Sequence, residues 1–100
     1  MYRFGKRSRA RLKGVDSRLV NVLNELIKVM DVTIIEGVRS AETQNKYFKD
    51  GKSKLDGINK KSNHQLGKAV DLAPYPINWK ESNRFYYMGG MVRGIAKQLN

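Results

Sequence analysis

The stretch SNHQLGKAVDL, Ser62 to Leu72, carries the only histidine of the 100-residue chain. Two readings compete for it: a polar turn that leads into a strand, or a metal site. If His64 to Asp71 were helical, their Cα atoms would lie about 10.5 Å apart along the axis. Two ligands that each reach a common zinc at about 2 Å would then be hard to align. A loop that turns at Gly67 and runs into a strand brings the imidazole and the carboxylate together instead. Glycine adopts the backbone conformation such a turn needs. The expectation is therefore a strand, KAVDLA, with Ala69 and Asp71 on one face and Val70 and Leu72 on the other. An aspartate in an otherwise apolar strand is costly unless it is paired, hydrogen-bonded or metal-bound.

Upstream of this stretch, Leu19, Val22, Leu23, Leu26, Ile27 and Met30 recur at helical spacing behind two capping candidates, Asp16 and Ser17. A helix is expected over Ser17–Met30, with Arg18, Asn21, Glu25 and Lys28 outside. DVTIIEG reads as a short buried strand ended by Gly37. Ser40 caps a second helix over Ala41–Lys49, which Asp50 and Gly51 close. Residues 51–63 are polar and lysine-rich and read as a loop. From about Glu81, a last helix places Phe85, Met88, Val92, Ile95 and Leu99 on one face, and Gly89 and Gly90 are expected to let another element approach. The order helix, strand, helix, loop, strand, helix makes residues 1–100 one α+β unit with a small antiparallel sheet and flanking helices. Two strands are few for three helices, so further strands are expected to be missing.

Composition narrows the chemistry. There is no cysteine, so any metal must be held by nitrogen and oxygen ligands. No apolar run approaches membrane-spanning length, and no signal-peptide core follows the basic start. The expectation is a soluble protein made in the cytoplasm, whose later exit would need outside help. The net charge is +11, with Arg3, Lys6, Arg7, Arg9, Arg11 and Lys13 crowded at the start and six lysines between Lys46 and Lys61. Such a field favours polyanions, and by itself it makes nucleic acid the first guess.

Ser62-x-His64-x-x-Gly67-x-Ala69-x-Asp71 resembles the SxHxxGxAxD motif of the VanY-like zinc peptidases. These include D-alanyl-D-alanine carboxypeptidases and bacteriophage L-alanyl-D-glutamate endopeptidases. TIIEGVRSAETQ is similar to that family's strand, Gly-x-Arg-Ser turn and glutamine-bearing helix. YRFGKRSRARLKGVDSRLVNVL looks like the opening of phage endolysins. The resemblance implies a DD-peptidase or Hedgehog-like α+β fold and a zinc cofactor, with peptidoglycan as substrate and partner and no specific nucleic acid. His64 and Asp71 would be two of three zinc ligands. Arg39 would hold a substrate carboxylate or the polarised carbonyl oxygen. Ser62 would stand at the substrate or cap the loop, and Gln44 would stand there or orient Arg39. By the same resemblance the expected location is the host bacterial cytoplasm, then the cell wall or periplasm after release.

The family's third ligand, a histidine near the C-terminus with the catalytic acid residue just before it, has no match here. Glu36, Glu42, Asp31 and Glu81 are acids that could in principle supply an oxygen. The expectation is a truncated, inactive form of the enzyme whose exposed sheet edge invites dimerisation. A basic nucleic-acid module and a non-catalytic wall-binding domain are the rivals, although neither explains the SxHxxGxAxD pattern.

Overall fold

The computed structural model describes residues 2–99. It contains helices α1 (Lys6–Arg11), α2 (Ser17–Val29), α3 (Ala41–Lys49) and α4 (Ser82–Leu99), and strands β1 (Val32–Glu36) and β2 (Asp71–Pro74). The strands pair antiparallel in one two-stranded sheet. The α+β architecture expected from the sequence is present, and α2 and α3 begin at the expected residues. Asp16 caps α2 by accepting the Arg18 N–H at 2.8 Å, and Ser40 caps α3 by accepting the Thr43 N–H at 3.1 Å.

The core is the contact between α2, β1 and α4. Leu23, Leu26 and Ile27 from α2 meet Val32 and Ile34 from β1 and Met88 from α4, with Phe4 closing one side. Leu26 and Ile34 are fully buried, and each such side chain contributes about 1.5–3 kcal/mol of transfer free energy. On α4, Phe85, Val92 and Ile95 pack against this core as expected, while Leu99 is exposed. Gly89 and Gly90 do not serve a close approach, because a Cβ at either position would meet open space.

One helix was not foreseen. α1 follows Gly5, which offers no side-chain cap, and it has no acid in its first turn. Its helical signal is weak, and tertiary contacts form it instead. Ser8 is buried, and its Oγ accepts the N–H of Ile34 at 3.0 Å while Arg11 donates to the C=O of Ile34 at 2.8 Å. Side chains of α1 therefore satisfy the edge of β1 that faces away from β2, where an open strand edge would invite pairing. The sheet edge expected to be exposed is covered on the β1 side at Ile34.

β2 is shorter than KAVDLA and begins at Asp71. The register pairs Ile34 with Leu72 and then Glu36 with Asp71, so Ile35 is an unopposed bulge residue. Because β1 ends at Glu36, residues 68–70 run beyond it without a strand partner. Asp71 is consequently a strand-end residue with a 58% exposed side chain, and the cost foreseen for a carboxylate inside an apolar strand does not arise.

The cap of α2 yields a pH-dependent prediction. Hydrogen bonds from the Arg18 side chain and backbone lower the Asp16 carboxyl to about 2 from its ordinary 3.8. A depressed carboxyl stabilises the fold above its unfolded value, and that stability is lost as pH falls through about 2. Thermal melts of Asp16→Ala should therefore lie below the parent at pH 6, with the gap closing towards pH 2.

Candidate metal centre

Twenty residues without helix or strand, 51–70, carry the histidine. Side-chain bonds to backbone give this segment its shape. Gln44, fully buried on α3, donates to Ser53 Oγ at 2.9 Å and to the Leu55 C=O at 2.8 Å. Gln65 donates to the Gly57 C=O at 2.9 Å and accepts the Ser62 N–H at 3.0 Å. The end of the segment is docked by Gly67, whose C=O accepts the Asp16 N–H at 2.8 Å. At Gly67 φ is +72°, and a Cβ there would lie 2.5 Å from the Gly14 carbonyl oxygen. The glycine read as a turn residue is thus required both by its conformation and by the approach of α2's preceding turn.

That docking presents His64 to the end of β1. The Arg39 N–H donates to the His64 C=O at 3.0 Å, and His64 Nδ1 lies 3.0 Å from the Gly37 carbonyl oxygen. A carbonyl can only accept, so Nδ1 carries the proton and the neutral ring keeps its lone pair on Nε2. Nε2 lies 3.4 Å from Asp71 Oδ1. Two lone pairs facing at that distance repel unless a proton or a cation lies between them. Donors about 2.0–2.1 Å from one zinc at the tetrahedral angle are about 3.3 Å apart, so the spacing fits a pair of zinc ligands.

The bulge brings a second carboxylate to the same place. Glu36, opposite Asp71, offers an oxygen that lies with a His64 nitrogen and an Asp71 oxygen inside a 4.8 Å cluster. Glu42, Asp31 and Glu81 are not part of it. The signal for Glu36 was its position at the strand end, one residue before Gly37 and three before Arg39. Glu36 Oε1 accepts from both Nε and Nη2 of Arg39, so this oxygen is already bonded to a cation.

Arg39 is only 12% exposed and is held on three sides. Glu36 takes one edge of the guanidinium, Gln44 Oε1 accepts from Nη1 at 2.7 Å, and the Tyr47 ring lies 4.8 Å from the guanidinium carbon. The bonds to Glu36 raise its pKa further, so it stays charged. Three of its five N–H groups are engaged by side chains of the described residues, which leaves two.

Two of the residues placed at the substrate by sequence lie behind the site. Gln44 is inaccessible and orients Arg39, while buried Ser62 accepts the Gln65 N–H at 3.3 Å and shapes the loop. A cleft of ≈ 500 Å³ between α2 and α4 is lined by Leu19, Val22 and Leu99. It contains none of the clustered groups, and the chemistry gathers at the sheet end instead.

Over residues 1–100 the chain matches the family model described as phage L-alanyl-D-glutamate peptidase. No curated protein matches it. Among solved structures it is similar to the Serratia marcescens L-Ala D-Glu endopeptidase ChiX, at 26% sequence identity and a TM-score of 0.81. The match covers 96% of this chain and 73% of that one.

Gly37 tests how the site is held. A Cβ at this position would fall 1.8 Å from the Arg11 carbonyl oxygen, so Gly37→Ala must push α1 away from the strand end. The expected cost is about 1–3 kcal/mol of stability in denaturant titrations. The carbonyl that orients His64 would also move, so the magnetic resonance signals of the imidazole should shift.

Proposed function

Because the chain belongs to the phage L-alanyl-D-glutamate peptidase family, we propose that its site serves zinc-dependent hydrolysis of the L-alanyl-D-glutamate bond in peptidoglycan stem peptides. The observation that carries the metal reading is the 3.4 Å approach of His64 Nε2 to Asp71 Oδ1 while Nδ1 is committed to Gly37. His64 and Asp71 would hold the ion, and Glu36 would hold Arg39 rather than the metal. Zinc, when bound, supplies Lewis acidity and acidifies water towards neutrality.

The remaining work falls to residues of this chain. Arg39 can direct its two unengaged N–H groups at a substrate carboxylate or at the carbonyl oxygen that gains charge during attack. Glu36, Gln44 and Tyr47 fix its plane beforehand, so little reorganisation is needed when charge develops. A net charge of +11 draws the protein to an acidic wall, and no helix among the described residues is long and apolar enough to cross a membrane. The route to the wall would be release from the host cytoplasm. Nucleic-acid binding shares the charge but gives no account of the His64–Asp71 pair.

Among the described residues, only two carboxylate or imidazole donors not already held by Arg39 converge here, whereas catalytic zinc sites use three. Zinc should therefore bind weakly to these 100 residues, and hydrolysis of purified peptidoglycan should stay at background. Calorimetric titration with zinc should show His64→Ala and Asp71→Asn each losing at least about tenfold in affinity, with Glu36→Gln little changed. Equal loss in Glu36→Gln, together with zinc-dependent hydrolysis that His64→Ala abolishes, would make Glu36 the third ligand.

Arg39→Lys keeps the charge and loses the planar fork. In an active form of the enzyme it should lower kcat/KM by about tenfold or more at unchanged zinc content. Wild-type turnover would remove Arg39 from the chemistry.

A further inference from the structure

The other end of the sheet gathers a second set of side chains. Asp31 immediately precedes β1, roughly 16 Å from Glu36 at the usual rise per strand residue. Here two clefts of ≈ 380 and ≈ 410 Å³ adjoin, sharing Asp31 and the ring of Tyr75 as lining. The first is walled by Tyr2, Tyr87 and Arg84, and the second by Arg3, Lys6 and Arg7.

Three observations distinguish this surface from the general basicity of the chain. Arg3, Lys6 and Arg7 are exposed and take part in none of the ion pairs among the described residues. Asp31 is the only carboxylate lining either cleft, against four cations, of which Arg84 is paired with Glu81. Large rings stand uncovered beside these cations: Tyr2 is 49%, Tyr75 56% and Tyr87 61% exposed.

The ring platform is also built rather than loose. The Tyr75 N–H donates to the Asp31 C=O at 3.0 Å, and Arg84 donates to the Pro76 C=O at 2.7 Å. Trp79, between Pro76 and α4, stacks on Phe85 of α4 at 5.4 Å.

We infer that this groove is a second, non-catalytic binding surface for the anionic glycan-peptide polymer of the cell wall. Unpaired cations attract the carboxylates of the polymer, and exposed tyrosine faces accept its sugar rings. The groove and the His64 centre lie at opposite ends of the same two strands, so one polymer or two neighbouring ones can be held while the centre works. This assignment rests on the wall reading above, but it does not require the metal.

The test is co-sedimentation with isolated peptidoglycan sacculi at about 0.1 M salt, where long-range attraction is screened. His64→Ala should sediment like the parent, which separates failure of the metal reading from failure of this one. The triple variant Arg3→Glu, Lys6→Glu, Arg7→Glu should lose about tenfold or more in apparent affinity. A control with the same charge change on another exposed surface, Lys49→Glu, Lys52→Glu, Lys54→Glu, should lose several-fold less. Tyr87→Ala, which leaves the charge alone and sits on the outer face of α4, should weaken binding by about threefold or more. Circular dichroism should show all four variants folded, and if the α1 triple is not, Tyr87→Ala decides. Equal losses in the two triples, or undiminished binding by Tyr87→Ala, would overturn the groove. Tighter retention of a single-stranded oligonucleotide, lost in the same variants, would assign it to nucleic acid instead.

Discussion

The hydrogen bond from His64 Nδ1 to the Gly37 carbonyl fixes the chemistry of the site. It chooses the tautomer, sets the ring plane and leaves one nitrogen, Nε2, to face Asp71. Everything that places Gly37 therefore acts on the imidazole. Arg11, at the end of α1, presses its carbonyl against the Gly37 backbone and sends its side chain to Ile34. Ser8 holds the N–H of the same Ile34. The basic opening of the chain, which by composition is only a source of charge, thus braces the strand end from which the site is built.

A loop of twenty residues is an entropically expensive support for a site needing sub-ångström placement. The cost is offset by polar side chains from the neighbouring helix rather than by a core. Gln44 links Arg39 on one side to Ser53 and Leu55 on the other, so one buried amide ties the guanidinium to the loop. Breaking that link leaves buried polar atoms unpaired, with a penalty of about 1–3 kcal/mol. Rigidity in the loop and orientation of Arg39 are for this reason one property.

Sequence made the outline legible where a residue pattern has a single physical solution. The apolar stripe of α2, the Ser40 cap and the turn at Gly67 each had one, and the SxHxxGxAxD spacing placed His64 beside Asp71. What escaped was long-range. α1 has neither cap nor stripe, because contacts with β1 create it. The bulge at Ile35 has no local signature, so the pairing of Glu36 with Asp71 could not be read off either strand. For Gln44 two roles stayed open, at the substrate or behind Arg39, because its polarity is visible in sequence whereas its burial is not. Leu99 fits the helical face of α4, but nothing packs over it among the described residues.

The chain owns a single imidazole, and its two nitrogens have different jobs. In magnetic resonance terms such a protein has one pair of aromatic imidazole C–H signals, with no others to overlap them. Arrival of a proton at the site, or of a metal were one to bind, would alter that one ring and be read from it directly. The molecule carries its own label, placed where the chemistry is.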